Sequence, residues 1–315
     1  MAKKNLTVLF VAKQGKRTDF KPVVQNQLDA LAQECSGINF ERFPIPGKGV
    51  LSYLKAIVPL RKMVREVKPD VIHAHYSFSG FLASLVAPWT PVVVSLMGSD
   101  VEAKSIFRLI IKVFVKYFWS ATIVKSESLK QKLNIANVIV LPNGVDINRF
   151  KPLDQATCKE HLGWEKNKKQ ILFLADINRP VKNFALAKAA YELLDDDNVE
   201  LKAAYNIDTS LVPVYINAAG VVIMTSLWEG SPNTVKEALA CNRPVVSTNV
   251  GDVALLLKDV QGCFIAENEP VDFAQKIKQA LSYSQSNGRE KIKKLKMDSQ
   301  SVSQLLKELY VSKAK

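Results

Sequence analysis

The feature that most constrains this chain is the alternation of short β-branched runs with longer amphipathic segments. Residues 6–12, 70–76, 91–97 and 120–126 are rich in apolar side chains, and segments with helical periodicity separate them. Apolar runs of this length between helices are typical of parallel strands that are covered on both faces. The sequence therefore predicts an α/β fold built from βαβ units.

The pattern begins a second time after a turn-rich segment, LPNGVDINRFKP, at residues 141–152. At 315 residues the chain is also long for a single hydrophobic core. We therefore predict two Rossmann-like domains, residues 1–148 and 149–298, that face each other across a cleft, and a C-terminal helix within residues 299–315. Because ligands of such sheets bind beyond the carboxyl ends of the strands, we expect the functional residues in the loops there.

The positive charge of the chain is concentrated in its first half. The formal net charge is +13, and residues 1–150 hold 21 Lys and Arg against 10 Asp and Glu, whereas residues 151–315 hold 22 against 20. This excess indicates either an anionic partner or a solvated basic surface. Because the chain shows no nucleic-acid reader motif, we expect no nucleic-acid partner and favour an anionic membrane surface.

The cysteines and histidines do not form a metal-binding pattern. Four cysteines are scattered without a C-x-x-C pair, and there are three histidines, so we expect no metal and no other cofactor. The N-terminal apolar run is too short for a signal peptide, and the chain has no run of 18 uncharged apolar residues. We therefore expect a cytoplasmic location, with peripheral attachment to the inner face of the plasma membrane as an extension of the charge argument.

The segment SLWEGSPNTVKEALACNRPVV, residues 226–246, combines a helix start with two acids eight positions apart. Ser231 fits the N-cap and Pro232 the first helical position, which predicts a helix over residues 232–241. The free amides of its first turn form an anion site that suits phosphate. Because a carboxylate beside a diphosphate is repelled, Glu229 and Glu237 are expected to accept hydrogen bonds from hydroxyls, as a nucleotide-sugar would offer. On spacing alone, a solvated loop charge and a solvated helix position explain the two acids equally well.

This segment, extended to STNVGD, resembles the retaining glycosyltransferases of family 4, which have the GT-B fold. The stretches KPDVIHAHYSFSG, VVVSLMGSDV and VLPNGVDINRFKP resemble the same family, so that the resemblance extends along most of the chain. It implies that the first domain binds mainly the acceptor and that the second binds the nucleotide-sugar without a metal. It also implies that the C-terminal helix crosses back to the first domain.

The resemblance assigns roles to residues of the second domain. It implies that Glu229 contacts the donor sugar and that Glu237 holds the ribose. Arg179 and Lys182, in LADINRPVKNFALA, would neutralise the donor phosphates and stabilise the leaving diphosphate, although a solvated loop explains them as well. Glu229, Arg179 and Lys182 are thus the catalytic candidates. The segment that would meet the diphosphate consists of Gly230, Ser231, Pro232, Asn233 and Thr234.

The first domain departs from the family pattern at two places. The Gly-rich turn after the first strand is reduced to AKQGKRTDF, which leaves Gly15 as the candidate for close approach to a diphosphate or acceptor. Lys13, Lys16 and Arg17 add charge there and are candidates for contact with an anionic acceptor. Met97 stands where many members have a histidine. His75 and Asp100 are therefore the remaining candidates for sugar contacts, and Asp100 would equally serve as a helix cap. We expect His73, two positions before His75, to alternate with it and to pack inward.

The segment AKSIFRLIIKVFVKYFWSATIV, residues 103–124, carries Arg108, Lys112 and Lys116 as a basic stripe on an apolar, aromatic-rich surface. Such a helix suits a membrane interface. The alternative is a buried crossover helix whose cations reach water at its edge.

The function that these features favour is a retaining glycosyltransferase, which moves a sugar from a nucleotide-sugar donor to a glycan or lipid-linked acceptor in cell-surface polysaccharide synthesis. Met97 and the short segment at 206–219 keep a second hypothesis open, a non-catalytic protein that binds a nucleotide-sugar or glycan. A third is a nucleotide-sugar epimerase of the same architecture, which would act on the donor alone.

Overall fold

The computed structural model describes residues 6–16, 19–101 and 105–314, and for Ser105 it describes the backbone alone. The chain divides into two compact units. Unit one holds the described residues up to Gly144 together with those from Ser299 onward, and unit two is Val145–Asp298. The division at Gly144 lies four residues before the end of the first domain that the sequence predicts.

Unit one alternates strands and helices. Its elements before the division are β1 (Leu6–Lys13), α1 (Pro22–Glu34), β2 (Ile38–Ile45), α2 (Leu51–Val67), β3 (Val71–His75), α3 (Ser77–Val86), β4 (Val92–Ser95), α4 (Ser105–Tyr117), β5 (Ala121–Val124), α5 (Glu127–Leu133) and β6 (Ile139–Val140).

The strands of unit one form a parallel sheet in the order β2-β1-β3-β4-β5-β6. Every residue of β3, β4 and β5 is buried, because helices cover both faces of the sheet and form a separate apolar core on each. The carboxyl ends of β3 and β4 therefore lie side by side at one edge, near the middle of the sheet.

Unit two repeats the alternation. Its elements are α6 (Gln155–His161), β7 (Lys169–Phe173), α7 (Phe184–Glu192), β8 (Val199–Ala203), α8 (Val212–Ala218), β9 (Val221–Met224), α9 (Asn233–Ala240), β10 (Val245–Thr248), α10 (Val253–Leu257), β11 (Phe264–Ala266), α11 (Pro270–Ala280) and α12 (Gly288–Lys294). Its sheet is also parallel, in the order β11-β10-β9-β7-β8, with an apolar core on each face. The predicted α/β class is thus confirmed in both units.

The last helix, α13 (Ser299–Lys313), belongs to unit one and packs against α1. Its apolar face buries Leu306 and Tyr310, which join the core beneath β1 and β3. The Tyr310 hydroxyl lies 2.6 Å from Nδ1 of His73. The C-terminal segment therefore completes the core of the first unit.

Two local features differ from the sequence predictions. The sequence predicts a kink or a break at Pro59, and there is no break, because α2 continues through Pro59 as one helix of 17 residues. The predicted strand at 138–142 shortens to the two residues of β6, at the edge of its sheet. None of the described helices is both long enough and apolar enough to cross a membrane.

Candidate active site

The loop at the carboxyl end of β9 brings two of the predicted catalytic residues together. Nζ of Lys182 lies 2.5 Å from Oε1 of Glu229, and the hydroxyl of Ser226 donates to the same oxygen at 2.9 Å. Both charged side chains are about one-fifth exposed. The pair is thus fixed in position and still reachable from solvent.

The backbone around Lys182 is tied to the end of β9. Residues 180–182 form a short 3-10 helix after β7, and the hydroxyl of Thr225 donates to the carbonyls of Lys182 and Asn183 at 2.8 and 2.9 Å. The amide of Leu227 donates to the carbonyl of Val181 at 2.9 Å. Arg179, at the start of this turn, is exposed, and its side chain forms no hydrogen bond or ion pair with the residues that the structure describes.

Helix α9 begins one residue later than the sequence predicts. Pro232, with φ −73° and ψ 118°, is extended and occupies the N-cap position, so that Ser231 lies outside the helix and Asn233 is its first residue. The side chain of this N-cap residue makes no capping hydrogen bond. Proline has no side-chain oxygen to cap these amides, so the N–H groups at Asn233 and Thr234 remain available to an anion from elsewhere.

Glu237 lies on the first turns of α9, partly exposed, in a mixed electrostatic environment. Burial raises the pKa of its carboxyl to about 7, against the opposing influence of Arg149 and Lys236. Arg149 donates to the carbonyl of Thr209. The carboxyl therefore changes its protonation state close to neutral pH, and it can either accept or donate hydrogen bonds to hydroxyls.

A buried lysine lies on α9, just after the loop. Lys236 is fully buried, and burial lowers the pKa of its ammonium to about 8, although the carboxylates of Asp252 and Glu237 raise it. Burial likewise raises the pKa of Asp252, which Lys236 and the hydroxyl of Ser231 lower. Lys236, Glu237 and Asp252 thus form one charged cluster. Residues 229–234, which lie beside it, are called the donor loop below.

Gly251 fixes the donor loop from the neighbouring strand end. Its φ is +62°, and a Cβ built on it would stand 2.5 Å from the carbonyl oxygen of Gly230. The hydroxyl of Thr248 also donates to the carbonyl of Ser226 at 2.7 Å. The loop after β10 thus lies close against the backbone of the donor loop.

Sequence reasoning did not assign Arg149, Lys236, Gly251 or Asp252 to the site. The quoted motifs contained all four, but their sequence spacing did not show that they converge. The position of Lys236 between Val235 and Ala238, two apolar residues that face inward, was the signal that this lysine is buried.

In unit one, the prediction that His75 reaches a ligand is not supported by its position. His75 and His73 are both fully buried, with ring centroids 4.3 Å apart. The prediction that they alternate was wrong, because residues two apart in a strand share a face. Nε2 of His75 bonds Oε1 of Gln27 at 2.8 Å, and Nε2 of His73 bonds the hydroxyl of Ser95 at 2.9 Å. Both imidazoles belong to the interior.

Asp100 acts as a cap on another segment. Its Oδ1 accepts from the amide and the hydroxyl of Ser77 at 2.9 and 2.7 Å, and its Oδ2 accepts from the amide of Met97 at 2.9 Å. Ser77 is the first residue of α3. Of the two roles that the sequence left open for Asp100, the structure places it in the helix cap.

The remaining candidates of unit one lie in the turn after β1. The amide of Gly15 donates to the carbonyl of Asp19 at 3.3 Å, and Lys16 is exposed. Neither is brought close to His75 or Asp100 by a described contact. Within the part of the chain that the structure describes, no three His, Cys, Asp or Glu side chains lie close enough to hold a metal ion.

Helix α4 presents an apolar surface to solvent. Ile111 is fully buried, whereas Ile106, Leu109 and Tyr117 are 65%, 57% and 66% exposed. The predicted crossover helix is present, but only a narrow stripe of it is buried. Residues 103 and 104 of the predicted segment lie outside the described residues.

Two family models match the chain. Residues 185–283 match the model described as glycosyl transferases group 1, and residues 17–128 match the model described as glycosyl transferase 4-like. The first match contains the donor loop and α9, and the second contains most of unit one up to the start of α5.

Curated relatives agree with these models, and a solved structure shares the fold. TuaC of Bacillus subtilis, named for glycosyl transfer in teichuronic acid biosynthesis, is 29% identical over 68% of this chain and 61% of its own length. The Escherichia coli UDP-Gal:α-D-GlcNAc-diphosphoundecaprenol α-1,3-galactosyltransferase is 24% identical over 70% of this chain and 68% of its own. The chain thus spans about three-fifths of the length of TuaC. Anabaena HepE, solved with UDP and glucose, superposes with a TM-score of 0.76 at 16% identity, over 98% of this chain and all of HepE.

Proposed function

The chain belongs to the family 4 glycosyltransferases of GT-B fold, and we propose that it moves a sugar from a nucleotide-sugar donor to a lipid-linked acceptor in cell-surface polysaccharide synthesis. The observation that carries this proposal is the Lys182–Glu229 pair beside the uncapped start of α9. A cation, an acid and free amides at one strand end match the phosphates and hydroxyls of a nucleotide-sugar.

Each of these groups has a defined task in the proposal. The amides at Asn233 and Thr234 take the diphosphate, and Lys182 and Arg179 neutralise the charge that develops on it as it leaves. Glu229 accepts hydroxyls of the donor sugar, and Glu237 accepts those of the ribose. In the free protein Lys182 and Glu229 hold each other in place. When the donor binds, this one contact is replaced by two, from Lys182 to the diphosphate and from Glu229 to the sugar hydroxyls.

Transfer is proposed to retain the anomeric configuration, which is the behaviour that the family resemblance implies. Glu229 and Glu237 come from one loop and the helix that follows it, and we assign neither to the paired acid and base of a hydrolase. Catalysis then rests on positioning and on stabilising the leaving diphosphate, without a metal.

The acceptor is proposed to be carried by a lipid. The Escherichia coli relative is named for an acceptor linked to diphosphoundecaprenol, and α4 offers an exposed apolar surface with Arg108, Lys112 and Lys116. Such a surface suits peripheral attachment to an anionic membrane, about 1 kcal/mol for each basic residue near the surface. We place the protein on the cytoplasmic face of the plasma membrane, where nucleotide-sugars are available.

The test is a transfer assay with separate binding and chemistry measurements. The purified protein is incubated with UDP-, GDP- and ADP-sugars and a synthetic prenyl-diphosphate-linked N-acetylglucosamine, and product is detected by mass spectrometry. We expect one donor to be used, and the anomeric coupling constant of the product to show retention. Lys182→Ala should lower kcat about 100-fold, because it removes a cation from the leaving diphosphate, while thermal shift should still detect nucleotide binding.

The same assay separates the two alternatives. A binding protein would give a thermal shift with one nucleotide-sugar and no product with any acceptor. An epimerase would convert the donor in reactions that lack the acceptor. Either result would contradict the proposed transfer.

A further inference from the structure

Lys236 is a completely buried lysine at the fourth position of α9. Side chains of an α-helix point back toward its N-terminus, and long side chains follow this direction. The stem of Lys236 is therefore directed toward the first turn of α9, where the amides of Asn233 and Thr234 remain available to an anion. Neither this lysine nor Asp252 has a task in the transfer reaction described above.

The neighbours of Lys236 place its ammonium in the interior beside the donor loop. Asp252 is the carboxylate that acts most strongly on it. Asp252 follows directly after Gly251, where an added Cβ would stand 2.5 Å from the carbonyl oxygen of Gly230. The hydroxyl of Ser231 also acts on Asp252. The lysine, the aspartate and the backbone of the donor loop are thus close together.

The position of this cation is electrostatically costly in the free protein. The start of an α-helix carries a partial positive charge, so a cation is repelled there and is stabilised only at the opposite end. Burial adds a desolvation cost and lowers the pKa of Lys236 to about 8, although Asp252 and Glu237 raise it. The two carboxylates therefore compensate the ammonium only in part. A further negative charge beside the donor loop would complete the compensation.

Polar atoms around the donor loop also lack hydrogen bonds. Both carboxylate oxygens of Asp252, the hydroxyl of Ser231 and the side-chain oxygen of Asn233 are buried, and none has a hydrogen-bond partner among the residues that the structure describes. Ser231 lies close enough to lower the pKa of Asp252, but without the geometry of a hydrogen bond. Buried groups that stay unsatisfied are costly, and native proteins keep few of them. Their concentration here indicates a loop that is arranged for a ligand at the expense of stability.

We propose that Lys236 is an additional cation of the donor site, which attracts the diphosphate through the donor loop from the interior of unit two. This inference rests on the proposed transferase function and adds to Lys182 and Arg179 a charge that does not touch the substrate. Lys236 is thus a positioning residue, which strengthens the positive end of α9 and draws the diphosphate onto the amides of Asn233 and Thr234. Because the interior screens charge weakly, the ammonium acts across the thickness of the loop.

Donor binding should therefore be linked to proton uptake. At pH 8 about half of the free molecules carry the proton on Lys236, because its pKa is about 8. A diphosphate favours the charged form and raises this pKa, so binding should draw about half a proton from the buffer at pH 8. The other charged groups around Lys236 are Asp252 from the loop after β10 and Glu237 on α9, and Arg149 acts on Glu237.

Isothermal titration measures this uptake. Wild type and Lys236→Met are titrated at pH 8 with UDP, GDP and ADP in two buffers of different ionisation enthalpy, and the difference between the heats gives the number of protons bound. We expect the nucleotide that binds to draw about half a proton into wild type and little or none into Lys236→Met. At pH 7 the variant should bind this nucleotide roughly tenfold more weakly, because one charge is missing. The corresponding nucleoside, which has no diphosphate, should give both proteins the same thermal shift.

A second variant separates an electrostatic role from a merely structural one. Asp252→Asn removes a carboxylate that raises the pKa of Lys236, so more of the free lysine is neutral at pH 8 and the proton uptake should increase. The two substitutions thus change the uptake in opposite directions, whereas a structural role predicts weaker binding in both with the uptake unchanged. Lys188→Met is the control, because Lys188 is 64% exposed on α7, and it should behave like wild type.

The double variant Lys236→Met/Asp252→Asn gives the same test if the single lysine variant does not fold. It contains neither buried charge, so no carboxylate is left without its cation, and it should also lose the uptake. Wild type that binds a nucleotide without taking up protons would overturn the proposal. Uptake that is unchanged when Lys236 is replaced would overturn it as well, and would assign the proton to Glu237.

Failure of this inference is distinguishable from failure of the function, because transfer to the prenyl-linked acceptor is measured on the same proteins. We expect kcat/KM of Lys236→Met to be about tenfold lower than that of wild type. If this variant transfers sugar as fast as wild type and takes up as many protons, the inference fails and the function stands. If wild type binds none of the three nucleotides and transfers no sugar, the proposed function fails, and this inference with it.

Discussion

The polar residues at the carboxyl ends of the central strands differ in exposure between the two units. At the end of β9 in unit two, Glu229 and Lys182 pair with each other at about one-fifth exposure. At the ends of β3 and β4 in unit one, His75 and Asp100 are buried and bonded to the fold itself. Both positions satisfy the rule that ligands bind beyond carboxyl strand ends, yet only one of them presents its polar residues to a ligand.

The difference teaches that the rule locates a site without naming its residues. In unit two the motif residues Lys182 and Glu229 are partly exposed and available to a ligand. In unit one His75 and Asp100 are bonded within the fold, whereas Lys21 and Tyr53, near the starts of helices, line a cavity of about 520 Å³. A polar residue at a strand end is therefore a candidate only when its hydrogen bonds are not already used by the fold.

The largest expected effect contrasts the two carboxylates directly. Glu229→Ala should lower kcat by about 10²–10³-fold, as the loss of a transition-state contact does, while leaving the thermal midpoint nearly unchanged. Asp100→Ala removes three hydrogen bonds to Ser77 and Met97 and should destabilise unit one by about 3 kcal/mol. Steady-state kinetics and urea unfolding on both variants measure the contrast.

The comparison breaks if the two variants behave alike. A stable Asp100→Ala protein with a 100-fold lower kcat would return Asp100 to the ligand site. A Glu229→Ala protein that unfolds more readily and transfers sugar normally would make the Lys182–Glu229 pair a structural feature only.

The next effect concerns the support of the donor loop. Gly251→Ala should lower kcat/KM about 10- to 100-fold, because its Cβ would collide with the carbonyl oxygen of Gly230 and displace the loop. Gly163→Ala is the matched control: its φ is +64°, against +62° at Gly251, but nothing lies within 4 Å of its Cβ. Both variants carry the same backbone strain. The difference in kcat/KM between them reports the contact with Gly230, and equal values would contradict the role of Gly251.

Much of unit two was accessible from the sequence because its signals are local. Apolar runs, a proline at a helix start and two acids in one segment placed β9, α9 and the donor loop to within a residue or two. The N-cap is Pro232 and not Ser231, because the ψ of Pro232 is extended and this residue therefore precedes the first helical residue. The long-range support from Gly251 and Arg149 could not be predicted, since it depends on which loops the sheet order brings together.

Unit one was less predictable at its site because its polar residues are saturated by distant partners. His73 meets Tyr310, which lies 237 residues further along the chain, and Asp100 meets Ser77. No spacing pattern announces such contacts. The signal that was available is the period of two in β3, which places both histidines on one face.

A smaller effect is the loss of stability of unit one at low pH. Burial and the charge of Lys125 lower the pKa of both His73 and His75 well below the ordinary value, with His73 adding to the effect on His75. The unfolded chain therefore takes up protons first as pH falls below about 6.5, and each histidine costs unit one about 1.4 kcal/mol per pH unit until its folded pKa is reached. Hydrogen exchange of the β3 amides at pH 7 and pH 5 measures this loss. His75→Gln should reduce the slope by about half, and a slope that is unchanged in the variant would contradict the assignment.

The smallest effect runs in the opposite direction in unit two. Burial raises the pKa of Glu237 from 4.5 to about 7, so the unfolded chain loses this proton first as pH rises. The contribution of Glu237 to the free energy of unfolding is complete below pH 4.5 and is lost as pH rises through 7. Glu237→Gln should therefore stabilise unit two at pH 8 by about 1–2 kcal/mol, a figure reduced for the partial exposure of the side chain. At pH 4.5 the same substitution should change the stability by almost nothing. Urea unfolding at the two pH values measures the difference.

Glu192→Gln is the control, because that side chain is 62% exposed and pairs with Lys188 at 3.7 Å, and it should change neither value. An equal gain at both pH values would show that Glu237 does not titrate in this range. If the gain at pH 8 comes with weaker binding of the donor nucleotide, then unit two sacrifices stability to keep a ligand for the ribose, whereas unit one uses its buried polar residues to hold itself together.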